Sequence, residues 1–114
     1  MKIINRTRNT VLADKARIAD SFVSRLVGLL NRSGLNQGEA LVLAPSNSIH
    51  SFFMRFTFDA ILLNRNQRAV AMIPGFKPFR VSRVYLNAVT TIELPAGTIQ
   101  SSNTQINDEI VIFE

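Results

Sequence analysis

"SIHSFFMRFTFDAILLN", residues 48–64, crowds four phenylalanines around the only histidine of the chain, with one arginine, Arg55, and one acid, Asp59, inside it. The reading of this stretch decides the fold. In an extended chain, successive side chains point to opposite faces. Phe52, Met54, Phe56 and Phe58 then form a core face, and Ser51, Phe53, Arg55 and Thr57 form the other. "FDAILL" continues as strand, "NRNQR" reads as a hairpin turn and "AVAMI" as its return strand.

Upstream, "KIIN" predicts a short first strand, "NRTRNT" a polar turn, and "VLADKARIA" one or two extended pieces. The period then changes. In "DSFVSRLVGLLNRSG", residues 20–34, Phe22, Leu26, Leu29 and Leu30 recur at helical spacing. Asp20 or Ser21 can cap this helix and Gly34 can close it. "EALVLAP" is a strand ended by Pro45. Downstream, "PGFKPFRVSRV" holds two prolines and a glycine and reads as a surface loop. "AVTTIEL" is a strand, "PAGTIQSSN" a turn leading into a short helix, and "NDEIVIF" a last strand. Short connections favour antiparallel pairing. The expected fold is α+β: one domain over residues 1–114, with a mainly antiparallel, strongly curved or barrel-like sheet packed on one main helix and one short helix.

Composition bounds the function. With hydrophobic content at 46%, the chain has enough apolar material for a folded core without disulfides or metal. Cysteine is absent, which excludes disulfides, thiolate catalysis and Cys-ligated metal centres. A single histidine without a His or Cys partner is a poor metal signature, so no metal or cofactor is expected. The N-terminus has no uninterrupted apolar segment of the kind a secretory signal needs, and no run is long enough for a membrane span. Cytoplasm is the default expectation. Net charge is +5, and no acid occurs from Ala60 to Ile92, where Arg65, Arg68, Lys77, Arg80 and Arg83 fall. A basic face of this kind attracts anionic partners, nucleic acid among them, or simply keeps a surface solvated.

The candidate site residues are few. His50 can serve as acid, base or ligand-orienting group near neutral pH. Arg55 and Asp59 read either as a structural ion pair or as an anion-binding fork held by a carboxylate. Glu93, in "IELPAG", lies between apolar neighbours, so it faces solvent or has a partner inside. Paired with Asp59 it would make a two-carboxylate site. Phosphate-loop, dinucleotide, zinc-protease and serine-hydrolase motifs are all missing from the sequence.

Three motifs in order, "RLVGLLNR", the opening stretch and "IELPAG", resemble the domain of unknown function 192 family, over about Arg17 to Glu114. Arg25, Gly28-Leu29-Leu30 and Arg32 match its helix pattern. Phe52, Phe53, Met54, Arg55 and Asp59 match its aromatic-rich centre, and Glu93 to Gly97 complete its Glu-Leu-Pro-Ala-Gly motif. Asn64 and Asn107 depart from the pattern, both at turns. The resemblance implies a compact, β-rich α+β fold and no agreed activity. The preferred expectation is a non-enzymatic binding or accessory module. Its site would be formed by His50, Phe53, Arg55, Asp59, Glu93, Pro95 and Gly97, and would take a small anionic or polar ligand or a partner peptide. The competing expectation is a hydrolase-like enzyme using His50 with Asp59 or Glu93. Nucleic-acid binding through a basic face is the third.

Overall fold

The computed structural model describes residues 1–19, 34–51 and 54–114. The helix expected over residues 20–34 falls, but for Gly34, outside the described residues, as do Phe52 and Phe53. Eight strands and one short helix make up the rest: β1 (Lys2–Asn5), β2 (Thr10–Ala13), β3 (Lys15–Ala19), β4 (Glu39–Leu43), β5 (Phe58–Leu63), β6 (Ala69–Phe76), β7 (Thr90–Pro95), α1 (Thr98–Ser101) and β8 (Ile110–Phe113).

The strands form two open sheets, one ordered β2-β1-β8 and the other β3-β4-β7-β5-β6. This corrects the expected α+β, barrel-like architecture: the described chain is mostly β. Closing a barrel needs a continuous ladder around the ring. Here the seam between the sheets carries one isolated bridge, Arg68 to Glu109, and a few backbone bonds such as Ala69 N–H to the Asp108 carbonyl at 2.9 Å. Alternating hydrophobicity looks the same in a barrel and in two packed sheets, so the pattern alone could not separate them. Pairing is antiparallel with one exception: β3 runs parallel to β4 from Lys15↔Glu39 to Ala19↔Leu43. A parallel pair needs a connection of about a dozen residues or more, and β3 and β4 are far enough apart in sequence to allow one.

The two sheets share one core. Ile3, Leu12 and Ile110 from the small sheet meet Val42, Ile61, Leu63, Ile92 and Leu94 from the large one. On the other face of the large sheet, Leu41, Phe58 and Ala60 pack with Ile49, Met54, Phe56 and Phe76. With both faces covered, β5 is buried at all six positions and reads as an apolar run with a single polar interruption, Asp59.

The opening stretch is not one long strand. The strand starts at Phe58, and among the described residues of the stretch before it only His50 makes a bridge, to Val81. Backbone bonds of residues 49–51 go to the segment after β6 instead: Ser51 N–H donates to the Arg80 carbonyl at 2.8 Å, and Ser82 N–H to that of Ile49 at 2.8 Å. Burial nonetheless alternates: Met54, Phe56 and Phe58 are buried, while Arg55 and Thr57 are exposed. Ser51, expected on the outer face, is buried. Its hydroxyl donates to the Lys77 carbonyl and accepts the Arg80 N–H at 2.9 Å.

Phe58 anchors this layer, fully buried and edge-on to Phe56 and Phe76 at centroid distances of 6.2 and 5.6 Å. Truncating Phe58 to Ala should cost about 3–5 kcal/mol in urea denaturation; a loss below about 1 kcal/mol would show that the layer is not packed as described.

Candidate functional site

Asp59 is the polar interruption of β5, and three backbone N–H groups explain it. Its Oδ1 accepts Gly75 N–H at 2.9 Å, and its Oδ2 accepts Gly97 N–H at 3.1 Å and Ile99 N–H at 2.9 Å. The donors come from two places far apart in sequence. Pairing between β5 and β6 slips between Phe58 and Ala60, which face Phe76 and Ile73, so β6 carries an extra residue opposite Asp59. This bulge puts Gly75 at φ +64°, which turns its N–H towards the carboxylate. On the other side β7 ends at Pro95, and Gly97, at φ +95°, starts α1. The Gly97 and Ile99 N–H groups are among the donors that a helix start leaves without intrahelical partners, and α1 has no capping side chain of its own. Asp59 does that work from the neighbouring strand. Both glycines occupy the left-handed region, where a Cβ is unfavourable by about 1–2 kcal/mol.

The expected Arg55–Asp59 ion pair does not form. Asp59 is 1% exposed and points at backbone donors, whereas Arg55 is exposed. The two-carboxylate arrangement also fails, on register. Directly opposed residues in a sheet share a face. Asp59 is opposite Leu94, and Ala60 is opposite Glu93. Asp59 therefore lies on the face of the inter-sheet core, and Glu93 on the other. Glu93 is fully buried there, among Leu41 and Ala60, and is engaged by a neighbour, as is His50. His50 follows Ile49, which packs on that same far side, away from Asp59. The predicted residues thus divide. Asp59, Pro95 and Gly97 come together at one end of β5 and β7, while His50 and Glu93 belong to the opposite layer. Arg55 lies on the surface, and Phe53 is outside the described residues.

A cavity of about 470 Å3 opens at the Asp59 corner, walled by Pro74, Gly75, Ala96, Gly97, Ile99 and Gln100. A second, of about 440 Å3, lies between the β2–β3 corner, Gln37, Gly38 and α1, and contains none of the candidate residues. Among the described residues no group of three or more His, Asp or Glu side chains is placed to hold a metal ion.

One buried carboxylate carried more weight than the sequence reading gave it. Asp108, which the sequence reading did not single out, accepts Asn5 Nδ2 at 2.9 Å, Arg8 Nε at 3.0 Å and Gln105 N–H at 2.9 Å. Asn5, fully buried, also donates to Thr104 and accepts the Arg8 N–H. Burial pushes the Asp108 carboxyl up, but the bonds from Arg8, Asn5 and Gln105 outweigh it and hold it below its ordinary value of 3.8. The available signal was Asn107-Asp108 itself, two turn-favouring residues immediately before a strand.

A family model, DUF192, described as "Uncharacterized ACR", matches residues 3–112. A UPF0127 protein of Pyrococcus horikoshii is 34% identical, covering 97% of this chain and 98% of that protein. A UPF0127 protein of Thermococcus sibiricus is 33% identical, covering 95% of this chain and 72% of its own length. Two crystal structures share the fold. A protein of unknown function from Novosphingobium aromaticivorans superposes with a TM-score of 0.83 at 13% identity, over 98% of this chain and 84% of that one. A putative transcription regulator from Sinorhizobium meliloti gives 0.76 at 14%, over 96% and 89%.

Two measurements check the site geometry. Asp59→Ala strands one buried donor, the Ile99 N–H, and two that water can reach at Gly75 and Gly97, so unfolding free energy should fall by at least about 1–3 kcal/mol, while Arg55→Lys should stay within about 0.5 kcal/mol of the parent. A large loss in Arg55→Lys would reinstate the ion pair. For Asp108 the folded pKa is depressed, so its stabilisation is complete above 3.8 and is lost as pH falls through the lower folded value. The stability gap between the parent and Asp108→Asn should therefore be constant near neutrality and narrow below about pH 4; a gap that widens in acid would contradict the network.

Proposed function

The chain belongs to the DUF192 family, and from its geometry we propose that it is a non-enzymatic binding module whose ligand sits in the cavity at the Asp59 corner. The observation that carries this reading is the separation of Asp59 from His50 and Glu93, which lie in the opposite layer. Acid–base hydrolysis needs a base and a second group converging on one reacting atom. Asp59 and Glu93 face opposite sides of the large sheet, and Asp59 already accepts three backbone bonds. What remains at Asp59 is a fixed, shaped cavity rather than a reactive pair.

The wall chemistry narrows the ligand. Pro74, Ala96 and Ile99 are apolar, Gln100 offers an amide, and Asp59 is the one charged side chain. A carboxylate there repels small anions, so the anionic branch of the expectation is set aside. A small polar molecule or a peptide segment that brings its own donors fits better. An ionised carboxylate has about four acceptor positions, of which the three backbone bonds use three. The bulge and the turn are rigidly held, so little ordering cost would fall on binding.

Ala96 is an exposed position on the rim, which makes it a clean test. A ligand-detected NMR screen of polar metabolites and short peptides against the parent should yield binders that Ala96→Trp loses at least tenfold in affinity, with the melting temperature unchanged. Binders indifferent to Ala96→Trp would place the site elsewhere. Turnover of an ester or amide substrate that disappears in His50→Ala would replace this reading with the enzymatic one.

A further inference from the structure

Between β6 and β7, residues 77–87 run alongside residues 47–51 as a ribbon. Tyr85 N–H donates to the Asn47 carbonyl at 2.8 Å, and Phe79 N–H to that of Ser51 at 3.0 Å. Ile49 N–H donates to the Ser82 hydroxyl at 2.9 Å. Tyr85 and Ala88 seat the far end on Leu62 and Ala71. The ribbon is therefore anchored at several points along its length.

Its side chains are unusual for an anchored surface. Phe79, Val81, Val84 and Leu86 are 61, 62, 52 and 90% exposed. The cations Lys77, Arg80 and Arg83 alternate with them, all exposed, and no acid falls anywhere from Ala60 to Ile92. Arg83 lies over the Tyr85 ring at 5.0 Å. Phe79 holds its exposed ring on a backbone at φ +58°.

We propose that this ribbon is a peripheral docking surface for an anionic lipid bilayer. Cations within reach of an anionic headgroup layer are drawn to it, and apolar tips beside them gain by entering the interface. Tyrosine suits the same boundary. The surface adsorbs rather than spans: no described helix is long and apolar enough to cross a membrane. The alternatives fit less well. Nucleic acid is gripped through phosphates and stacked bases, and Val81, Val84 and Leu86 serve neither. A peptide added as a strand needs unpaired backbone donors. The N–H groups of Phe79, Arg80, Ser82 and Tyr85 are already committed to residues 47–51.

Co-sedimentation of the full chain with vesicles tests this. The chain should partition onto phosphatidylcholine–phosphatidylglycerol vesicles at low salt and not onto phosphatidylcholine alone. Arg80→Gln and Arg83→Gln should each weaken partition about fivefold. Leu86→Asp should weaken it about tenfold or more, with an unchanged melting temperature. No sedimentation with the anionic vesicles, equal sedimentation with both kinds, or sedimentation that Leu86→Asp leaves intact would overturn the proposal. Tight binding of a single-stranded oligonucleotide that Arg80→Gln weakens and Leu86→Asp does not would overturn it too, and would assign the ribbon to nucleic acid.

Discussion

A carboxylate inside a protein core is tolerated only when its charge is met by donors. Asp59 is met by the backbone itself. Its two oxygens hold the bulge of β6 on one side and the start of α1 on the other, so one side chain fixes two departures from regular sheet at once. The rest of that end follows. The bulge needs a residue that accepts a left-handed φ, and Gly75 provides it. The turn after Pro95 needs the same, and Gly97 provides it. The cavity between these elements owes its shape to that arrangement. Asp108 repeats the device at the other sheet, where it ties Asn5 of β1 and Arg8 to the turn before β8. The two termini are joined there as neighbouring strands, with Lys2 opposite Phe113.

Two layers on opposite faces of the large sheet therefore have separate tasks. The inter-sheet layer holds Asp59 and the cavity corner. The far layer holds Phe58, Ile49 and Glu93, with Ser51 clasping the basic ribbon to residues 47–51. The proposed binding cavity and the proposed membrane-docking ribbon are compatible because neither borrows residues from the other.

Most strand positions along the chain were legible in the sequence, because local signals set them, but not the order of the strands in the two sheets. The Asn64–Gln67 turn between β5 and β6 was one such signal: Asn64 Oδ1 accepts the Asn66 and Arg68 N–H groups at 2.9 and 3.0 Å. The Pro95–Gly97 break before α1 was another. The buried alternation Met54, Phe56, Phe58 was also readable, although the backbone from Met54 to Thr57 is loop, since burial follows side-chain direction and not ladder bonds. Partners distant in sequence were not readable. Arg55 lies four residues from Asp59 and looked like its counter-charge, but the donors lie 16, 38 and 40 residues away. Nor could the pattern place Asp59 and Glu93 on opposite faces, because that depends on register between β5 and β7. A one-residue slip would have put them together. The parallel β3–β4 pair was missed for a related reason: short strands suggest hairpins, and the long connection between them was read only for its helical period.

By bonding to both, Asp59 joins the β6 bulge and the α1 turn into one cooperative unit. Native-state hydrogen exchange of the Gly75, Gly97 and Ile99 amides measures this directly. The three should exchange with a common opening free energy close to that of global unfolding, despite the exposure of Gly75 and Gly97 at the surface. Fast exchange at Gly97 and Ile99 with Gly75 still protected, or the reverse, would show that the carboxylate does not couple the two sides.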